Sequence, residues 1–171
     1  MEEKTLLWRR FCGDRPRKPL EKEGVAQLPN DDVVLDRIGI VSRFLTEIGL
    51  ERYEISNYSV RGFECRHNLA VWRGEDYLGI GEGAHGRVGL TRTEWLRTGL
   101  KELSVTPEED EKERTLFQLR LREGLDASRY PEWCATLRKY CDEGLLTQSG
   151  TRYCLTARGT EVCDSILSDL V

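Results

Sequence analysis

The sequence lacks the features that build membrane spans and secreted scaffolds. Its 171 residues include 5 prolines, 2 histidines and 1 methionine. No stretch approaches the roughly eighteen consecutive apolar residues that a membrane-spanning helix needs. The opening ten residues carry charges on both sides of a short apolar run, which is not the pattern of a secretory signal. We therefore expect a soluble, cytoplasmic protein without a membrane span.

Metal-binding cysteine spacings are missing as well. The six cysteines contain no CxxC pair, and no histidine stands beside two of them. An even number of cysteines is compatible with disulfides, but the absence of a secretory signal favours reduced thiols. Helical spacing places Cys134, Cys141 and Cys163 on apolar stripes, where we expect them in the core. Cys65 lies in a polar loop beside Arg66 and is a candidate reactive thiol.

The residues that are present indicate an α+β chain, and its first part spans residues 1–106. Residues 1–30 are irregular and predict an extended lead-in. An amphipathic helix is predicted from Asn30 or Asp31 to Gly49, with its apolar stripe at Val34, Ile38, Val41, Leu45 and Ile48. The alternation that follows predicts a strand over 52–56, as in the αβ half of a parallel unit. Residues 91–103 are predicted to form a further helix.

The second part, residues 107–171, is predicted to begin with a well-capped helix. Thr106, Pro107 and Glu109 supply an N-cap, a first-turn proline and a capping-box acid. Two helices, a β-hairpin turning at Ser149 and Gly150, and a last helix capped by Thr156 should follow. Three helices with a hairpin form a winged-helix-like order.

Charge argues against nucleic acid as a partner of this winged-helix-like part. Acidic and basic residues number 17 each up to Thr106, but 13 and 9 after it. Since neutralising phosphates supplies most DNA affinity, a module with an excess of acids is a poor DNA reader.

Two segments could carry chemistry. The turn GIGEGAHG contains Gly79, Gly81 and Gly83, which either allow close approach of a ligand or form an unusual turn. Its GxGxxG spacing lacks the following strand and acid of a dinucleotide site. Both histidines, His67 and His85, lie in polar or glycine-rich segments, where an imidazole could bind a metal or haem iron or could hydrogen-bond a turn.

Four segments of the sequence resemble the same protein family. They are YEISNYSVRGFECRHNLAVW and DYLGIGEGAHG and, later in the chain, LRLREGLDASRYPEW and LTARGTEVCDSILSDL. The family is the oxygen-independent coproporphyrinogen III oxidase family, radical-SAM proteins that include haem chaperones of HemW type. The resemblance runs from about Asp31 to the end of the chain. It implies the late part of a partial (β/α) barrel over residues 1–106, followed by a HemN C-terminal-like winged-helix domain over 107–171.

The resemblance also implies site residues. HNLAVW resembles the HNxxYW signature of the haem-chaperone branch, with Val71 where tyrosine is usual. It makes His67 the candidate ligand of a haem iron, with Asn68 and Trp72 shaping its surroundings. Gly79, Gly81 and Gly83 would lie near the place where family members hold S-adenosylmethionine or a tetrapyrrole. The implied partner is haem or porphyrin, and the implied function is that of a haem chaperone or of a coproporphyrinogen oxidase.

The family's CxxxCxxC loop, which holds the [4Fe-4S] cluster that cleaves S-adenosylmethionine, has no counterpart in this sequence. We therefore expect the cluster and S-adenosylmethionine only in a full-length parent, and no radical chemistry or catalytic residue in this chain alone. The chain would be a C-terminal fragment, for which the missing N-terminal radical-SAM domain is an expected partner. Exposed strand edges of a partial barrel also predict a homodimer.

The competing hypothesis is a freestanding winged-helix module that contacts another protein or, less favourably, nucleic acid.

Overall fold

The computed structural model describes residues 31–171; the lead-in predicted for residues 1–30, with Cys12 and the candidate N-cap Asn30, lies outside the described residues. The described residues begin with helix α1 (Asp31–Glu47), which confirms the predicted amphipathic helix. Gly49 ends it with a φ of 84°, a left-handed conformation that glycine adopts without strain.

Two short strands follow, β1 (Glu51–Arg52) and β2 (Tyr58–Ser59). They pair with each other in antiparallel register, Glu51 opposite Ser59 and Arg52 opposite Tyr58. The predicted parallel αβ unit is therefore wrong at this point, because the polar turn after Ser56 folds the chain straight back. Helix α2 (Arg66–Trp72) comes next and contains the HNLAVW motif.

A three-stranded antiparallel sheet in the order β3–β4–β5 comprises β3 (His85–Val88), β4 (Thr91–Leu96) and β5 (Gly99–Ser104). The helix predicted over residues 91–103 is wrong. Gly99 has a φ of 126° and reverses the chain between β4 and β5, which a helix interior does not allow. The β-branched Thr91 and Thr93 favour the extended conformation that the apolar spacing did not reveal.

The second part opens with helix α3 (Pro107–Phe117), whose capping box between Thr106 and Glu109 confirms the predicted helix start. A 3₁₀ turn (Gln118–Arg120) and strand β6 (Leu125–Asp126) follow. A second 3₁₀ turn (Pro131–Trp133) then leads into helix α4 (Cys134–Asp142). The remaining elements are β7 (Leu146–Ser149), β8 (Arg152–Leu155), α5 (Ala157–Glu161) and α6 (Cys163–Ser168).

Strands β6, β8 and β7 form an antiparallel sheet in that order, and β7 and β8 are the predicted hairpin. The last predicted helix is divided into α5 and α6 at Val162, whose backbone is not helical. The winged-helix assignment stays a prediction. The described strands form one two-stranded and two three-stranded sheets, and no closed barrel.

The apolar core of the described residues lies almost entirely in the second part. Its members are buried side chains that follow Val105: Leu116, Phe117, Leu119, Leu125, Ala127, Trp133, Leu137, Tyr140, Leu146, Tyr153, Cys163, Ile166, Leu167 and Leu170. Tyr140 also donates a hydrogen bond to Asp169 (2.6 Å), which together with burial raises the pKa of Tyr140 to about 12. In the first part Tyr53 is the one buried hydrophobic residue among those described.

The β3–β4–β5 sheet is joined to α3 by buried ion pairs. Arg87 and Arg92 both donate to Oδ1 of Asp110, and Arg92 also reaches Oε2 of Glu113 at 2.6 Å. Arg114 donates to the other Asp110 oxygen at 2.7 Å. Burial opposes ionisation of Asp110, but the hydrogen bonds from these three guanidiniums outweigh it and hold the pKa of the carboxyl far below its usual range.

Apolar side chains remain exposed over much of the first part. Ile38, Val41 and Phe44 of helix α1 and Ile48 just after it are between 40% and 58% exposed, so much of the apolar stripe is not covered by the described residues. All six residues of β5 are exposed, and its outer edge pairs with no described strand. No described helix combines the length and apolar character needed to cross a membrane.

Replacing the central acid of the ion-pair cluster tests its contribution. Asp110→Asn should lower the free energy of unfolding by about 3 kcal/mol, because it leaves buried guanidiniums without a counter-charge. The folded-state pKa of Asp110 lies below its ordinary value of 3.8. Its stabilisation is therefore complete above that pH and is lost as pH falls further. Urea unfolding between pH 2.5 and 7 should show a steeper acid loss for wild type than for Asp110→Asn.

The control is Glu102→Gln, which removes an exposed acid from β5 and should change stability by less than about 0.5 kcal/mol. Equal stability and equal pH slopes for the two variants would contradict the role given to Asp110.

Candidate functional site

Helix α2 presents two different faces because its residues advance by 100° each. Asn68 and Trp72, four residues apart, point to the protein body. Arg66, Ala70 and Arg73 lie on the opposite side. His67 stands at the border between the two faces, and its side chain is exposed.

Trp72 attaches α2 to the second part of the chain. Its ring meets Phe117 edge-on, with centroids 5.9 Å apart and planes at 85°. The guanidinium carbon of Arg120 lies 4.9 Å from the Trp72 ring centroid, and Arg120 also pairs with Asp164 at 2.9 Å. Both contacts of Trp72, with Phe117 and with Arg120, are made to the second part of the chain. These contacts therefore hold α2 in position.

Glu54, in the first part of the chain, also holds the Trp72 side chain in place. Its side chain is buried, and Oε2 accepts a hydrogen bond from the Trp72 indole nitrogen at 2.7 Å. Oε1 accepts from the Ser56 backbone (2.9 Å) and from the Asn57 amide (2.6 Å). Three donors satisfy a carboxylate that would otherwise be costly to bury. Asn68 adds a hydrogen bond to the hydroxyl of buried Tyr53, at 3.3 Å.

His67 lies at the edge of an open cleft of about 420 Å³, which we call the His67 cleft. It is lined by Arg66, His67, Leu69, Ala70, Arg73 and Glu75. The His67 ring makes an edge contact with Tyr77, with centroids 6.5 Å apart. Within residues 31–171 no hydrogen bond engages the imidazole, so its nitrogens are available to a ligand from solvent.

Tyr77 connects the cleft to the ion-pair cluster. Its backbone pairs with Arg87 in both directions, at 2.7 and 2.8 Å. Burial, with a smaller contribution from the charge of Glu113, raises the pKa of the Tyr77 phenol. The ring against His67 therefore stays neutral at physiological pH.

The glycine-rich turn lies beside the β3–β4–β5 sheet and contributes no residue to the His67 cleft. Gly79 packs against β3, where an added Cβ would come within 2.1 Å of the His85 carbonyl oxygen. Its own carbonyl accepts from the Trp95 indole at 2.7 Å. Gly81 and Gly83 have φ of 96° and 77° and open space around them. The structure thus brings His67, Asn68 and Trp72 together on one helix and leaves the three glycines apart.

The cysteines of the described residues do not converge on a metal site. Cys65, Cys134, Cys141, Cys154 and Cys163 form no disulfide, and no group of three metal-ligating side chains occurs within residues 31–171. Of the three cysteines predicted in the core, Cys163 is buried, whereas Cys134 and Cys141 are half-buried. Cys65 is exposed directly before α2. The described donors therefore do not fit an iron–sulphur cluster.

Sequence reasoning missed Glu54, Arg66 and Arg73. Glu54 lies between Tyr53 and Ile55 in an alternating segment, where an acid is expected to face solvent. Arg66 and Arg73 have a usable signal, because residues seven apart share a helix face, but it required knowing that α2 is a helix.

The bond between Glu54 and Trp72 can be measured with a double-mutant cycle. Glu54→Ala and Trp72→Phe should each lower the free energy of unfolding, by about 2 and 1 kcal/mol, since each leaves buried polar groups unpaired or loses a hydrogen bond. Their effects should be non-additive by at least about 0.5 kcal/mol. Chemical denaturation of the four proteins supplies the coupling energy.

Trp95→Phe is the matched control. Its indole also donates a hydrogen bond, but at an exposed position to Gly79, so its effect should add to that of Glu54→Ala. Additivity of Glu54→Ala with Trp72→Phe as well would argue against the attachment described.

Comparisons with known proteins find relatives of one kind, HemW and HemN proteins. The family model described as the HemN C-terminal domain matches residues 105–162. The haem chaperone HemW of Mycobacterium tuberculosis is 32% identical over 172 aligned residues, covering 88% of this chain and 42% of the relative. HemW of Bacillus subtilis is 29% identical over 88% of this chain and 47% of its own length. HemW of Escherichia coli is 45% identical over 42% of this chain and 19% of its own length.

A solved structure gives the same fold. It is the coproporphyrinogen III oxidase HemN of Escherichia coli, a radical SAM enzyme, with a TM-score of 0.63 at 17% identity. The match covers 85% of this chain and 42% of that one, so the chain spans less than half the length of these relatives. The resemblance read from the sequence is confirmed: the chain carries a HemN C-terminal domain and is similar over most of its length to the C-terminal portion of HemW and HemN proteins.

Proposed function

We propose that this chain is a tetrapyrrole-binding portion of a haem chaperone of HemW type, in which His67 is the ligand of the haem iron. The observation that carries the proposal is the exposed His67 imidazole at the edge of a cleft, on a helix held in place from its opposite face. The curated relatives reported above are all named haem chaperone HemW, which favours the chaperone over an oxidase-like role.

The residues around the His67 cleft fit a haem group. A neutral imidazole is a common haem ligand, and Leu69 and Ala70 offer apolar surface beside it. Bound haem would contribute an iron with an open position for this nitrogen. Asn68 and Trp72 act as positioning residues, because their side chains are engaged with Tyr53, Glu54, Phe117 and Arg120 rather than turned to the cleft.

The glycines have different roles in this proposal. Gly81 and Gly83 leave room for a ligand to approach the backbone, whereas Gly79 serves the packing of the sheet. S-adenosylmethionine and the [4Fe-4S] cluster are proposed to belong to the N-terminal radical-SAM domain of a full-length parent and not to the described residues, whose cysteines do not converge. The domains are proposed as a barrel portion up to residue 106 and a winged-helix-like portion over 107–171.

A haem titration followed in the Soret region tests the iron ligand. Wild type should give the shifted band of a histidine-ligated haem, and His67→Ala should lose that band and bind haem at least about tenfold more weakly, equivalent to about 1.4 kcal/mol. His85→Ala, which removes the second histidine, is the matched control and should keep the band. A band that persists in His67→Ala, or that disappears only in His85→Ala, would refute the assignment.

We further propose that two copies associate through the outer edge of β5. The support is an exposed strand with an unpaired edge and the apolar side chains Leu100 and Leu103, which are 44% and 36% exposed. Open edges of this kind pair readily with another strand.

Sedimentation equilibrium tests the association. Wild type should show a concentration-dependent dimer, and the Leu100→Lys/Leu103→Lys variant should weaken it about tenfold or more, because lysines on an edge strand oppose pairing. The control Val171→Lys places the charge at another exposed apolar position and should leave the dimer intact. A wild type that stays monomeric at all concentrations would refute the proposal.

A further inference from the structure

Two arginine side chains lie at opposite ends of the face of α2 that lines the His67 cleft. Arg66 and Arg73 both line it and are both exposed. We propose that these two guanidiniums bind carboxylate groups of the tetrapyrrole, which makes the cleft selective for porphyrins with free acid side chains. The inference rests on the proposed function, since it concerns the ligand of the same cleft.

Helix geometry places the two cations as a pair. Arg66 and Arg73 are seven residues apart, which is two turns, so they share a face and are separated by about 10 Å along the axis. Ala70 lies between them and Leu69 beside it, so the surface between the two cations is small and apolar. An extended, flat ligand with an apolar body and acidic arms matches this arrangement.

Both guanidiniums are free of carboxylate partners within residues 31–171. The arginines of the sheet are in a different situation, because Arg87 and Arg92 are buried against Asp110 and Glu113. A buried, paired arginine maintains the fold, whereas an exposed, unpaired one keeps its donors for a ligand. Guanidinium groups bind carboxylates through paired hydrogen bonds.

Glu75 is the one acid that lines the cleft. Its charge opposes an acidic ligand and offsets part of the attraction from the two arginines. The inference therefore predicts opposite effects for removing a base and removing the acid, which a purely structural role for these side chains does not.

A titration with a metal-free dicarboxylic porphyrin, followed by its fluorescence, separates this contact from iron ligation. Arg66→Gln and Arg73→Gln should each weaken binding about twofold to fivefold, the range of exposed ion pairs, with a smaller effect at high salt. Glu75→Gln should strengthen binding by a similar factor. Arg138→Gln, on helix α4 outside the cleft, should leave the affinity unchanged. The dimethyl ester of the same porphyrin should bind all the variants alike.

The possible results distinguish the carboxylate contacts of the two arginines from iron ligation by His67. Equal affinity of wild type and the Arg66 and Arg73 variants, an equal loss with the ester, or no porphyrin binding by wild type overturns the inference. If the haem band depends on His67 but the arginine variants bind porphyrin like wild type, the iron ligand stands and the carboxylate contacts fall. If the arginine effects are present but no His67-dependent haem band forms, the carboxylate contacts stand and the iron ligand falls.

Discussion

The carboxylate of Asp110 is the connection on which the rest of the described structure depends. It accepts hydrogen bonds from arginines on β3, on β4 and on its own helix, and so attaches a sheet with almost no apolar core to the helix that opens the second part. Burial alone would disfavour this ionised acid, and only the shared guanidiniums reverse the balance. A sheet held in this way has its position set by charge geometry rather than by side-chain packing.

The candidate site is positioned by a second connection of a different kind. Trp72 combines a hydrogen bond to buried Glu54 with ring contacts to Phe117 and Arg120. The residue that resembles part of a haem-binding signature thus faces away from the cleft and holds the helix that carries His67. In this motif the tryptophan acts through the position of α2, and the histidine and the two arginines are the groups that solvent and ligands can reach.

The sequence predicted helix ends well, because capping residues and a glycine after a helix each have one strong conformational preference. The capping box at Thr106 and the Gly49 stop of α1 are examples. It failed over 91–103, because leucines at 96, 100 and 103 satisfy a helical period while also fitting two strands joined at a turn. The bond between Glu54 and Trp72 and the pairing of Asp110 with the arginines of β3 and β4 were out of reach, since each joins residues at least 18 positions apart in the sequence. His67 came from resemblance, not from periodicity.

The uneven distribution of the core has an evolutionary consequence. Nearly all the packed apolar side chains follow Val105, and α2 touches that core through Trp72, whereas Arg66 and His67 at its start are exposed. Selection can therefore rewrite the outward positions of α2 at little expense to folding. Val71 differs from these exposed positions because it is half-buried, so a change there also alters the packing of α2.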